Sequence, residues 1–227
     1  MTAQMKSLFP DELLEGIETS GVIAVLILEN ADDAVPVARS LLDGGVQAME
    51  LTLRTPSALE SLRQIRLHVP EMLAGVGTIL RPEQVDQVRD AGAAFGVSPG
   101  TSVGVVQQAI RTQLPFAPGV MTPTDIETAV ALGCRELKFF PAEPSGGLKM
   151  LASLYAPFAH LGVKFIPLGG INPSNLSQYL SSPSVLAVGG SWLVSAKHLK
   201  TGNWTAITET AAEAIQIVRQ RQDVGQE

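Results

Sequence analysis

Cysteine is nearly absent from these 227 residues: Cys134 stands alone. One cysteine forbids an intramolecular disulfide and fits a reducing compartment. Histidine is scarce too, and His68, His160 and His198 are widely spaced, with no metal-ligand pattern around Cys134. Aromatic residues make up 5% and charged residues 17%, against 45% hydrophobic, which describes an apolar globular protein and not a disordered one. Basic residues are too few for the stripes that a phosphate backbone needs. With 16 Lys and Arg against 22 Asp and Glu the net charge is −6, so nucleic acid is not expected as a partner. A small anionic ligand, held by a few local donors, stays open. No uninterrupted apolar run reaches the roughly 18 residues of a membrane span. The first ten residues carry neither an apolar core of signal-peptide length nor a small-residue cleavage site, so the expected location is the cytoplasm.

A chain of 227 residues falls in the range of one α/β barrel domain. It can bury roughly 70% of its unfolded surface without disulfides or metals. Short apolar, β-rich runs predict strands at 22–27, 48–53, 73–76, 94–97, 115–117, 135–139, 163–167 and 185–188. Between them, amphipathic patterns predict helices at 31–43, 57–68, 82–91, 103–111, 124–132, 148–158 and 173–180, then 204–221. Proline and capping residues open several of these, as in Thr55-Pro56-Ser57, Arg81-Pro82-Glu83 and Thr122-Pro123-Thr124-Asp125. Glycine closes others, as in Asp43-Gly44-Gly45, Ala91-Gly92 and Leu132-Gly133. Strands alternating with helices imply parallel pairing through crossovers. A doubly wound sheet and a closed barrel both satisfy the pattern, but no G-x-G-x-x-G follows the first strand. Eight units in this length favour a (β/α)8 TIM barrel, capped by an extra N-terminal helix around 10–18. No linker is visible, so residues 1–227 are read as one domain.

In such a barrel the active site lies at the C-terminal ends of the strands. Lysine occurs only six times, and Lys138 lies near the end of the sixth strand, in Glu136-Leu137-Lys138-Phe139-Phe140-Pro141. Side chains alternate along a strand, so Leu137 and Phe139 should face the helices and Lys138 the interior. An ammonium there is costly unless paired or neutral, and a neutral amine can attack a ketone to form a Schiff base, an electron sink for C–C cleavage. A lysine that snorkels to the rim or pairs with a carboxylate fits this strand equally. On the second strand, Glu50, Thr52 and Arg54 share one face by the period of two, while Met49, Leu51 and Leu53 share the other. A carboxylate, a hydroxyl and a guanidinium converging on an interior point to a ligand or to each other. Glu50 could move protons and Arg54 could clamp a carboxylate; an ion pair of Glu50 with Arg54 or Lys138 that only fills the core is the plainer reading. Glycine pairs end several strands, notably Gly75-Val76-Gly77-Thr78, Gly169-Gly170-Ile171 and Gly189-Gly190-Ser191. Those after strands seven and eight fall where this fold usually binds phosphate.

Together these segments resemble the bacterial 2-keto-3-deoxy-6-phosphogluconate/4-hydroxy-2-oxoglutarate aldolase family. The resemblance runs in order through Glu50-Leu51-Thr52-Leu53-Arg54-Thr55, Gly75-Val76-Gly77-Thr78, Ser98-Pro99-Gly100, Lys138-Phe139-Phe140-Pro141-Ala142-Glu143, Gly169-Gly170-Ile171 and Gly189-Gly190-Ser191-Trp192. It implies a homotrimeric, metal-free (β/α)8 barrel without a cofactor, acting on a small 2-keto acid. It also implies Lys138 as the Schiff-base lysine, Glu50 as general acid/base, and Arg54 and Thr78 as ligands of the pyruvoyl carboxylate. Pro99 and Phe140 would line the pocket, and Gly169, Gly170 and Ser191 would hold a distal phosphate. The implied reaction is reversible cleavage of 2-keto-3-deoxy-6-phosphogluconate to pyruvate and D-glyceraldehyde 3-phosphate. Cleavage of 4-hydroxy-2-oxoglutarate, or of the phosphogalactonate epimer, is the alternative within the same chemistry. A non-catalytic barrel that binds a sugar phosphate is the alternative outside it. One position departs from the family: Leu168 stands where many members carry threonine before the glycine pair.

Overall fold

The computed structural model describes residues 7–224; residues 1–6, included in the readings of the N-terminus and of the domain, and residues 225–227, included in that of the domain, lie outside it. Helix α1 (Asp11–Ser20) precedes β1 (Val22–Leu26), α2 (Ala34–Asp43), β2 (Ala48–Thr52), α3 (Ala58–His68), β3 (Leu73–Gly77), α4 (Pro82–Asp90) and β4 (Gly96–Val97). Then come α5 (Val103–Thr112), β5 (Phe116–Ala117), β6 (Gly119–Val120), α6 (Pro123–Ala131), β7 (Glu136–Phe139) and α7 (Gly147–Tyr155). The last elements are β8 (Lys164–Pro167), α8 (Pro173–Leu180), β9 (Val188–Gly190), α9 (Ala196–Thr201) and α10 (Trp204–Val224). All ladders are parallel, in a six-stranded sheet of order β5-β4-β3-β2-β1-β9 and a three-stranded sheet of order β6-β7-β8. The α/β class with parallel strands is thus as expected.

The two sheets approach at both ends. Between β5 and β6 stands only Pro118, which has no N–H for a ladder but whose carbonyl accepts from Lys138 N at 2.9 Å. Between β8 and β9 two parallel bridges form, Phe165 with Val185 and Leu168 with Gly189. The expected eighth strand at 185–188 is therefore shifted: Val185 makes a single bridge, and the ladder with β1 runs from Val188 to Gly190. The apolar run at 185–188 reports burial, which β-rich composition cannot separate from pairing. The fifth strand, expected at 115–117, extends past Pro118 as β6. Helix α9 was not anticipated, and the segment 148–158 is divided between α7 and a 3-10 turn, Ala156–Leu161.

Alternation along the strands sorts the core. Ala24 and Leu26 of β1, Met49 and Leu51 of β2, and Leu137 and Phe139 of β7 join the helices in the larger cluster. Ile23, Ala48, Val97, Ala117 and Ile166 face the opposite way, in a smaller inner cluster. Phe9, Leu13 and Ile17 join the inner cluster, so α1 and the segment before it cover the N-terminal ends of the strands. Local sequence sets the helix starts. Thr122 accepts from Asp125 N while the Asp125 carboxylate accepts from Met121 N and Thr122 N, which closes the first turn of α6. At α3 the expectation needs correction. Ser57 does not cap the helix; Thr55 Oγ1 and Ser57 Oγ both donate to the Leu28 carbonyl and tie the β2–α3 turn to the end of β1.

One buried acid belongs to this inner floor. Glu136, 4% exposed, accepts from Ser7 Oγ at 2.7 Å. Burial pushes its carboxyl above the ordinary value, while the Ser7 hydrogen bond, a backbone bond and nearby Arg135 pull it down. A carboxyl whose folded pKa is raised contributes stability that is full below the ordinary carboxylate range and is lost as pH rises through the raised value. Glu136→Gln removes that loss. We expect its melting temperature to exceed that of the unaltered protein above the raised pKa and to converge with it in acid. At about 2–4 °C per kcal/mol for a chain of this size, melting curves between about pH 4 and about pH 8 will resolve the difference.

Candidate active site

Strands β2 and β7 lie in different sheets, yet their inward side chains meet. Lys138 Nζ donates to Glu50 Oε1 at 3.0 Å and to Oε2 at 3.3 Å. Both are buried, Lys138 at 6% and Glu50 at 3% exposure. Of the two ion pairs that Glu50 could have made, it forms the one with Lys138; the Arg54 guanidinium enters no ion pair among the described residues. The Phe140 ring stands beside the ammonium, its centroid 5.5 Å from Nζ, close enough for a cation–π contact. A buried pair of this kind costs desolvation that its attraction repays only with good geometry. Its place among inward-facing residues makes it a candidate functional site.

Glycine makes room for the carboxylate. A Cβ on Gly77 would lie 1.7 Å from Glu50 Oε1, so Glu50 occupies the space of a missing side chain on β3. The next residue, Thr78, has φ 63°. A β-branched residue in the left-handed region costs about 1–3 kcal/mol and is held there only by its surroundings. Thr52, two residues beyond Glu50, is 7% exposed, and its hydroxyl has no hydrogen-bond partner. The period of two ends at that point. Leu53 N still donates to the Gly77 carbonyl, but Arg54 N turns back to Thr52 O at 2.7 Å. Arg54 therefore stands exposed in the turn after β2, not on the strand face where alternation placed it.

The rim around the pair is built from the ends of β4 to β9. Pro99 is exposed, and its carbonyl carbon and oxygen lie 2.3 and 2.2 Å from where a Cβ on Gly119 would be. Leu168, half-buried, covers Gly189 in the same way, with Cδ1 2.4 Å from the Cβ position, and the Trp192 ring covers Gly190. Gly169 and Gly170 have φ of 106° and 84°, a conformation glycine adopts without strain. Their loop is fastened to the segment after β7: Ala142 N donates to Leu168 O and Glu143 N to Gly169 O, at 2.8 and 2.9 Å. The Tyr179 hydroxyl, on α8 and deeply buried, donates to the Glu143 carboxylate, a brace that sequence patterns did not reveal. Burial, with the Glu143 carboxylate adding to it, pushes the Tyr179 phenol up. Ser191 is exposed just beyond β9.

Chemically, the arrangement offers a lysine amine and a carboxylate in contact, an aromatic wall, and backbone N–H groups of glycine loops at the rim. Among the described residues no group of three or more His, Cys, Asp and Glu gathers as a metal site would require. No described helix is long and apolar enough to cross a membrane.

The family model "KDPG and KHG aldolase" matches residues 14–210. The chain belongs to the KDPG and KHG aldolase family. Within that family it is 42% identical over 203 residues to the KHG/KDPG aldolase of Escherichia coli (strain K12), covering 89% of this chain and 94% of that one. In structure it matches KDPG aldolase from Legionella pneumophila, in which pyruvate was captured at low pH as a covalent carbinolamine. That match has a TM-score of 0.84 and 37% identity, over 88% of this chain and 96% of the other. The Zymomonas mobilis ZM4 aldolase with 3-phosphoglycerate follows at TM-score 0.82 and 39% identity, over 89% and 94%.

Proposed function

We propose that this chain is a class I aldolase that reversibly cleaves 2-keto-3-deoxy-6-phosphogluconate into pyruvate and D-glyceraldehyde 3-phosphate through an imine on Lys138. The observation that carries the reading is the buried Lys138–Glu50 pair, within two residues of the C-terminal ends of parallel strands, where α/β folds place their chemistry. The covalent carbinolamine in the Legionella relative supports it.

Chemistry follows from the pair. The ammonium proton passes from Nζ to Glu50, and the freed amine attacks C2 of the keto acid. Glu50 returns the proton to the C2 oxygen, takes one from the nitrogen, and delivers it as the C2–O bond breaks. Water leaves, an iminium remains, and the carboxylate is restored. Glu50 then accepts the C4 hydroxyl proton as the C3–C4 bond breaks, and the electron pair moves into the iminium to give an enamine. Protonation at C3 and hydrolysis release pyruvate and free the lysine. The imine is the electron sink, and no step requires a metal or other cofactor.

Arg54 and Thr78 are the ligands we assign to the pyruvoyl carboxylate. A guanidinium at the rim suits a bidentate clamp, and the left-handed backbone at Thr78 fits a ligand contact. Pro99 and Phe140 line the pyruvoyl pocket. Gly169, Gly170 and Ser191 are proposed to hold the distal phosphate through backbone N–H groups and a hydroxyl. The same reading takes residues 1–227 as one domain and the two sheets as one closed (β/α)8 barrel whose floor is α1. The bridges between β8 and β9 and the single-proline gap between β5 and β6 support that closure. A homotrimer in the cytoplasm completes the proposal on the precedent of the family.

Leu168 favours one second reading, 4-hydroxy-2-oxoglutarate, which carries no phosphate and gives pyruvate and glyoxylate. Steady-state cleavage of this compound, the phosphogluconate and its phosphogalactonate epimer decides between them. The phosphogluconate should show the highest kcat/KM; a higher value for either competitor overturns the assignment. Leu168→Thr restores a hydroxyl beside the glycine pair and empties the space over Gly189. It should raise kcat/KM for the phosphogluconate by about 3- to 10-fold, the worth of one added hydrogen bond. The rate of imine formation with pyruvate should stay the same.

A further inference from the structure

Thr52 is buried at 7% exposure, and its hydroxyl is without a partner. Buried hydroxyls are rarely left so, because losing water without a replacement bond costs about 1–3 kcal/mol. The position explains what the hydroxyl can meet. Thr52 pairs in register with Gly77, and the Glu50 carboxylate fills the space above Gly77. The side chain of Thr52 and the carboxylate of Glu50 thus stand at the same rung, on the same inward face, without a hydrogen bond between them. Two residues of rise, roughly 6.5 Å, carry Thr52 past Glu50 toward the C-terminal ends of the strands. Substrate enters from that side.

We infer that Thr52 is a further catalytic residue, whose hydroxyl holds the C2 oxygen of the bound keto acid against Glu50. The inference rests on the imine reading of Lys138 and deepens it. When Nζ attacks, C2=O becomes C2–OH, and Thr52 Oγ1 donates to that oxygen while Glu50 supplies and receives its proton. When the C2–O bond breaks, the oxygen leaves as water, still held between hydroxyl and carboxylate. On the return path the same water is positioned to attack the iminium. The hydroxyl orients; the carboxylate transfers protons.

The test compares Thr52→Val, which keeps shape and branching but loses the hydroxyl, with Thr52→Ser, which keeps the hydroxyl. Three readouts are needed: the rate at which borohydride traps a pyruvyl adduct, the exchange of ¹⁸O from water into C2 of pyruvate, and the melting temperature. Thr52→Val should slow trapping and exchange by roughly 10- to 100-fold, as loss of one oriented donor in a water-poor site does. Its melting temperature should equal or exceed that of the unaltered protein, since an unsatisfied polar atom is removed. Thr52→Ser should recover both rates to within about 5-fold. Unchanged trapping and exchange in a folded Thr52→Val overturn the inference, as do equal losses in both variants, which indicate packing alone. Should Thr52→Val not fold, Thr52→Ala is read against Thr52→Ser by the same criteria. If the unaltered protein itself yields no adduct, the imine reading fails, a result distinct from any failure at Thr52.

Discussion

Lys138→Arg is expected to abolish the borohydride-trapped pyruvyl adduct and to lower cleavage by about 10⁴-fold or more, the scale seen when a covalent nucleophile is removed. Arginine is the informative replacement because it separates charge from nucleophilicity. A guanidinium is never deprotonated in proteins and cannot form the imine, but it can keep a cation opposite Glu50. Lys138→Met removes the amine and the charge together. It leaves the carboxylate, 3% exposed, without its partner, and breaking a buried pair from one side costs about 3–5 kcal/mol. Both variants should fail to form adduct, and Lys138→Met should also melt lower. Mass spectrometry of the trapped protein and melting curves check the two halves separately. An adduct of undiminished yield on Lys138→Arg would place the reactive lysine elsewhere and end the mechanism proposed for this site.

Much of the site was legible before the fold, because alternation on a strand is a local rule. The inward aspect of Glu50 and Lys138, and the outward aspect of Met49, Leu51, Leu137 and Phe139, needed only the period of two. Their meeting did not follow from that rule. The two residues are 88 apart in sequence and in separate sheets, so the pattern left Arg54 and Lys138 as equal candidates for the partner of Glu50. Arg54 marks where the rule ends, since the backbone turns at Leu53 and its side chain leaves the strand face. The eighth strand was displaced for a related reason. Val185 to Val188 look like a strand because they are apolar with a valine at each end, whereas the ladder uses Gly189 and Gly190, which local preference disfavours. Those glycines are required by Leu168 and Trp192, neighbours that lie over them in space. The brace from Tyr179 to Glu143 left no trace in the pattern, because an inward tyrosine on a helix looks like ordinary core.

Gly77→Ala should damage the reaction on the scale of losing a catalytic acid–base group, although the glycine takes part in no chemical step. The backbone at Gly77 is not among those with positive φ, so alanine is conformationally acceptable there. Its effect is steric. The new methyl would stand 1.7 Å from Glu50 Oε1 and 2.5 Å from Cδ, both well inside contact distance, and the carboxylate must leave. It then loses its 3.0 Å bond to Lys138 and its line to the C2 oxygen. Positioned acid–base groups contribute about 10²- to 10⁴-fold, so kcat should fall by that factor, with a smaller change in KM because the rim contacts stay. Displacing one member of a buried pair should also lower the melting temperature. A shorter acid distinguishes this account from a general disturbance of β3. Glu50→Asp alone withdraws the carboxylate and should be slow, but combined with Gly77→Ala it relieves the clash. The double variant should be faster than the product of the two single effects, the coupling expected of residues in contact. Strict additivity of the two changes in kcat would mean that Gly77 acts through the strand and not through Glu50.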